Sequence, residues 1–305
     1  MRNEFRYNIL ATIACIVWAS AFPAAKVGFE YLPPIFLSGI RFTLAGLILA
    51  PFLIKRKVDW RDFKRQGGYI LFFAFFQTFL QYYFFYTGLI RIPAEVGAVL
   101  VGLGPIFVAI LAHIFIGGRD RMSLRKIIAI VLGFSGVAYL SFSKGLEIEN
   151  AGADFYIGVL CVVTSCLIGC VTNIIVVKRK KHLDHVALNT FSCFLGGLML
   201  TAISLFLEPQ EIANIKPLPM DFYFAMIWLA GIPALGFSIW YYLLSRPQII
   251  VSEINIIKFL IPVFGVILSW IIVEGENPNF TTVIGVVIIS VAIIIIQLPE
   301  RKKIK

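Results

Sequence analysis

The stretch FYIGVLCVVTSCLIGCVTNIIVVKRKK, residues 155–181, decides the fold. Twenty-three successive residues carry no charge, and four basic ones, Lys178 to Lys181, close the run. A helix rises about 1.5 Å per residue, so a run of this length crosses the roughly 30 Å hydrocarbon core of a bilayer. Backbone polar groups in hydrocarbon must be satisfied within their own segment, which makes the run a membrane helix. Outward from it, comparable apolar segments occupy 7–25, 34–54, 69–90, 94–117 and 124–142 on one side. On the other side they occupy 186–207, 221–244, 250–273 and 280–298. The expected fold is therefore an all-α membrane protein of ten transmembrane helices. The connecting segments leave no room for an inserted soluble domain.

Composition points the same way. The chain is 59% apolar and 14% charged, with a mean hydropathy of +0.89. A soluble domain is about 45–50% apolar and about 25% charged. The net charge of +10 would suit nucleic acid, but the basic residues sit in short runs between apolar stretches and read as topology signals. Nucleic acid is excluded as a partner. The expected partners are a small-molecule substrate and the lipid bilayer, with a homodimer left open. Cys15, Cys161, Cys166, Cys170 and Cys193 lie in apolar stretches without zinc-site spacing, so they are expected to be small packing residues. No metal and no cofactor is expected. Arg2 and Arg6 before an apolar run ending Ala19-Ser20-Ala21 mimic a signal peptide. Cleavage there would destroy the charge pattern and the repeat described next, so the segment is expected to stay.

Alternate loops, starting with the N-terminus, hold 21 basic residues, while the others hold 4. By the positive-inside rule both termini are cytoplasmic and the number of spans is even. The expected location is a bacterial inner membrane. The second half also echoes the first. Tyr31-Leu32-Pro33-Pro34 corresponds to His182-Leu183-Asp184-His185, and Ala45-Gly46 to Gly196-Gly197, at an offset of 151 residues. Tyr82-Tyr83 corresponds to Trp240-Tyr241 and Glu95 to Glu253, at an offset of 158. Pro105 and Pro262 then fall mid-span in both halves. The expected units are residues 1–145 and 146–305, each with an odd number of spans and hence of opposite orientation. Inverted repeats of this kind are characteristic of transporters.

Trp18-Ala-Ser-Ala-Phe with Lys26, then Leu32-Pro33-Pro34 and Arg41-Phe42, resembles the first repeat of EamA-type proteins. Leu183-Asp184 resembles the matching start in the second repeat, and Glu253, Pro262, Glu274-Gly275-Glu276 and Gly285 resemble its last two helices. The chain is thus similar to the EamA-like members of the drug/metabolite transporter superfamily, over nearly its whole length. The resemblance implies two inverted five-helix repeats and the export of amino acids or related small metabolites. One departure is visible. Gly169 and Val177 stand where the second repeat would match Trp18 and Lys26, so the halves are chemically unequal.

Candidate substrate-binding residues follow from the cost of polarity in a membrane. Gln77 and Gln81 are one helical turn apart and project from one face, as a cavity wall or as glue between helices. Tyr82, Tyr83, Trp240, Tyr241 and Trp18 can form an aromatic wall or an interfacial belt. Asn173 and Asn255 are polar residues inside spans. Pro105 and Pro262 are expected to kink their helices, and with Glu95 and Glu253 they are the gating candidates. His113 is read as a structural histidine. Arg41 and Lys258 are cations within spans, each costing about 2.5–3.5 kcal/mol to insert. Lys258 lies roughly 12 Å along its helix at about 1.5 Å per residue; it is either the counter-charge for a carboxylate substrate, with Arg41 toward the opposite face, or a structural lysine held by backbone carbonyls or snorkelled to the interface. Against an intramembrane enzyme or a lipid-handling protein, no span carries a catalytic pair or a metal motif.

Overall fold

The computed structural model describes residues 2–55, 65–92, 94–142, 152–179, 184–272 and 280–298. Among the described residues every regular element is helical. Helices α1 (Arg2–Ala19) and α2 (Ala21–Phe29) part at Ser20, whose hydroxyl turns back to the Val17 carbonyl and also accepts from the Trp228 indole. The segment expected as one helix over 7–25 is therefore two, because a serine hydroxyl competes for backbone partners. Then follow α3 (Pro34–Lys55), α4 (Gly67–Phe73), a π-helical turn (Ala74–Leu80) and α5 (Gln81–Leu89). Next come α6 (Ala94–Val101), α7 (Gly104–Phe115) and α8 (Leu124–Phe142). The remaining helices are α9 (Ala153–Lys178), α10 (His185–Leu207), the short α11 (Pro209–Ala213) and α12 (Met220–Leu244). Last are α13 (Val251–Ile256), a 3-10 turn (Ile257–Phe259), α14 (Leu260–Ile272) and α15 (Phe280–Gln297). Helices α3, α9, α10 and α12 are long and apolar enough to cross a membrane unbroken. This is an all-α, multi-pass membrane fold.

Several helix ends have identifiable causes. Asp184 caps α10, its Oδ1 accepting from the Val186 and Ala187 N–H groups at 2.8 and 3.0 Å. Pro105 and Pro262 stand in the first turns of α7 and α14, where a missing N–H costs least. The expected kinks are thus local changes of helix type, a turn at 102–103 before Pro105 and a 3-10 turn before Pro262.

The helices pack by close backbone approach. The α3–α10 pair is the most intimate. A Cβ on Gly46 would stand 2.7 Å from the Phe194 nitrogen, and one on Gly197 would stand 2.3 Å from the Thr43 nitrogen. Small residues let membrane helices gain dispersion and Cα–H contacts that apolar lipid does not replace. Other packed pairs are α8 with α15, α5 with α9, α1 with α12, α7 with α9, α1 with α14, and α7 with α13. Large apolar side chains such as Phe206, Trp228, Ile271 and Phe280 point outward, as a lipid-facing surface requires.

Candidate functional site

The 3-10 turn Ile257–Phe259 places Lys258 where the helix is broken. In an unbroken α-helix the Lys258 carbonyl would accept the N–H of residue 262, and Pro262 has none. The ammonium lies 4.1 Å from the ring centroid of Trp240 and 5.5 Å from that of Trp18. The two indoles meet at 5.3 Å and 58°, and Phe237 joins Trp18 at 5.8 Å. A desolvated cation–π contact gives about 2 kcal/mol, so two indoles approach the roughly 2.5–3.5 kcal/mol cost of inserting a lysine. Tyr241 stacks on Phe237 at 5.8 Å and 10°, extending the aromatic wall. Trp18, Trp240, Tyr241 and Lys258, named separately from sequence, therefore belong to one cluster. Asn255 precedes Lys258 by one turn, fully buried, its Nδ2 donating to the Val251 carbonyl.

Arg41 forms a second cluster. It is 7% exposed, and its guanidinium carbon lies 4.7, 5.4 and 5.6 Å from the rings of Phe42, Tyr82 and Tyr86. Arg41 Nε, Trp240 Nε1, Tyr241 Oη and Asn255 Oδ1 are buried without a hydrogen-bond partner. Orphaned polar atoms of this kind are rare in native proteins. With others such as Ser38 Oγ and Thr87 Oγ1 lying outside them, these four give the two clusters unused capacity for polar contact.

Other candidates are engaged elsewhere. Gln77 donates to Gln81 Oε1 at 2.8 Å and accepts from the Thr172 hydroxyl of α9, so the two amides join the π-helical turn to α9. A Cβ on Gly169 would sit 2.9 Å from the Gln81 amide. In the other half Trp18 leans on glycine in the same manner, its Nε1 lying 2.6 Å from where a Cβ on Gly236 would be. Both contacts seat a large side chain on a glycine. Tyr83 stacks on Phe79, and Asn173 is buried on α9. Glu253 pairs with Arg125 at 2.5 Å at the end of the bundle that holds the basic loop after α7. There His113 accepts from the Met122 N–H, as befits a structural histidine. The side chain of Glu95 lies outside the described residues.

Two features escaped sequence reading. The first concerns cysteines at the breaks. Cys15 donates to the Ile257 carbonyl at 3.5 Å, Cys166 to the Leu100 carbonyl at 3.5 Å, and Cys170 to the Gly104 carbonyl at 3.4 Å. Each thiol serves a carbonyl beside an interrupted helix. The spacing of Cys15 three residues before Trp18, and of Cys166 and Cys170 seven and three before Asn173, was the available signal. The second is Asp120, whose Oδ1 accepts from both the N–H and the hydroxyl of Ser252, capping α13 from the loop after α7. No local pattern joins residues so distant in sequence. A small cleft of about 20 Å³ is lined by Tyr69, Arg179, His185, Tyr241 and Ser245. Its floor at Tyr241 touches the aromatic wall.

The sequence model of EamA-like transporters matches this chain twice, over residues 5–142 and 156–298. The chain belongs to the EamA-like transporter family. As a member of that family within the drug/metabolite transporter superfamily, it is a small-molecule transporter and not an enzyme. Among the described residues no group of three or more histidine, cysteine or acidic side chains could hold a metal. The "Uncharacterized transporter YoaV" of Bacillus subtilis is 24% identical over 289 residues, covering 91% of this chain and 92% of that protein. An "Uncharacterized transporter" of Archaeoglobus fulgidus is 24% identical over 290 residues, covering 94% and 97%. A solved crystal structure superposes with a TM-score of 0.81 at 14% identity over 96% of this chain and 97% of that one, a likeness of fold.

Proposed function

We propose that this EamA-like transporter exports amino acids or related small metabolites across a bacterial cytoplasmic membrane by alternating access, and that both its termini are cytoplasmic. Its framework is ten spans in two inverted five-helix repeats, residues 1–145 and 146–305. The observation that carries the reading is the Lys258 cluster. A cation on an interrupted helix faces Trp18 and Trp240, with the unpartnered Trp240 Nε1 beside it and the unpartnered Asn255 Oδ1 one turn earlier on the chain. Interrupted helices at mid-membrane expose backbone and side-chain dipoles to a solute without exposing them to lipid.

Reciprocal contacts support the repeat. Gly46 faces residue 194 and Gly197 faces residue 43, both related by the offset of 151. Cys15 and Cys166 share that offset, and the carbonyls they serve, at Ile257 and Leu100, are equivalent positions before the paired prolines. The packed pairs map onto one another in the same way: α5 with α9 becomes α12 with α1, and α7 with α9 becomes α14 with α1. Alternating access then consists of rocking one five-helix unit against the other about the α3–α10 contact.

The test is solute flux in proteoliposomes holding the full chain. A carrier saturates and shows counterflow of labelled amino acid or metabolite against an unlabelled gradient. Trp240→Phe and Gln81→Leu should lower flux while the protein still inserts. Linear, non-saturating flux would mean a channel, and no flux of any solute would remove the reading.

A further inference from the structure

We infer that the solute taken by this site is a net anion, a carboxylate on a flat apolar body without an ammonium group, and that Lys258 selects it. The inference rests on the transport reading above and narrows it to metabolites lacking a free amine.

It starts from charge. The two cations within spans, Lys258 and Arg41, have no carboxylate partner among the described residues; they lie against aromatic rings, with the Cys15, Cys166 and Cys170 thiols around Lys258 and Cys193 near Arg41. The sequence offers no acidic residue deep in any span. Glu95 and Glu253 stand at span starts, and Glu253 is already paired with Arg125. A solute ammonium would therefore meet positive charge and no anion to balance it. The aromatic faces that could hold an ammonium instead are turned toward Lys258 and Arg41.

Hydrogen-bond polarity agrees. The unpartnered buried atoms Trp240 Nε1 and Arg41 Nε are donors only, and the Tyr241 hydroxyl can donate. Trp240 Nε1 with the Lys258 ammonium suits the acceptor oxygens of a carboxylate, and the Arg41 cluster carries the same donor character away from Lys258. Asn255 Oδ1 is the single unpartnered acceptor near Lys258 among the described residues. It is uncharged and suits a hydroxyl or a water better than an ammonium. Trp18, Phe237 and Tyr241 give the remainder of the solute an apolar, planar wall.

The experiment compares four probes of one shape on the full chain: phenylpropionate, phenylpropionamide, phenylalanine and phenethylamine. Counterflow in proteoliposomes reads transport, and quenching of indole fluorescence reads binding. Phenylpropionate should be carried, with an apparent affinity at least about tenfold better than the other three. Lys258→Met should abolish that preference, and Lys258→Arg, which keeps the charge, should retain most of it. The arginine variant also controls for folding. Equal handling of phenylalanine or phenethylamine, or unchanged phenylpropionate kinetics in Lys258→Met, overturns the inference. Failure of all four to bind while another solute is carried overturns it too and leaves the transport reading standing. Failure of every solute to be carried defeats the transport reading itself.

Discussion

Glu208 shows how one side chain can tie a loop to a helix. It follows α10 and lends both carboxylate oxygens to the first turn of α3, accepting from the Ile35 and Phe36 N–H groups at 3.0 and 2.9 Å. Burial raises its carboxyl above the ordinary glutamate range, and the two N–H groups only partly oppose that rise. A carboxyl with a raised folded-state value binds its proton more tightly when folded. Its contribution to stability is complete below the ordinary value and declines as pH rises through the raised one. Thermal stability in detergent should therefore fall as pH climbs through that window, and Glu208→Gln should flatten the fall. A steeper pH dependence in the variant would contradict the assignment. At the same scale, Trp240→Ala should be worse than Trp240→Phe. It removes the ring beneath Lys258 and leaves a cavity costing about 3–5 kcal/mol, whereas phenylalanine keeps a π face. Melting temperatures of the two variants check the order.

Among the helices, the α3–α10 crossing and the two interruptions carry different burdens. The crossing depends on Gly46 and Gly197, where a Cβ would run into facing backbone that has nowhere to go. Gly197→Leu should abolish folding or halve the yield of folded protein. Gly231→Ala, where nothing lies within 4 Å of the new carbon, should be silent. Gel filtration of both variants separates a packing effect from a general intolerance of substitution. At the interruptions, Pro262→Ala would return an N–H to the Lys258 carbonyl and favour continuous helix. It should lower the maximal rate of transport more than the half-saturation concentration. A change confined to half-saturation would place Pro262 in binding, not motion.

Across the whole molecule, one end of the bundle is fastened by charges from α8, α13 and the loop after α7. Arg125 of α8 binds Glu253 of α13 and the carbonyl of Leu298 beyond α15, while Asp120 caps α13. In the proposed orientation this is the cytoplasmic end, so the contacts must open if solute enters there. Arg125→Glu should disturb transport strongly, and the double exchange with Glu253→Arg should recover part of it. No recovery would assign the pair to local packing. Topology is checked by labelling single cysteines in a background without the native ones. Positions 144 and 216 should react from the periplasm, and positions 57 and 180 only after permeabilisation.

Sequence alone determined that this is a multi-pass helical membrane protein, and nearly where each helix lies, because the transfer of side chains into hydrocarbon is settled segment by segment. It also singled out Trp18, Trp240, Tyr241 and Lys258, since an aromatic or a cation inside a span is conspicuous against aliphatic neighbours. Which of these meet was beyond it. Lys258 reaches Trp18 across 240 positions, Asp120 reaches Ser252 across 132, and Gln77 turns to Thr172 across 95. Such contacts depend on how closely helix backbones approach and on where a helix is interrupted. Glycine crossings, a π-helical turn and a 3-10 turn decide those distances, and they are properties of packed pairs that no single segment encodes.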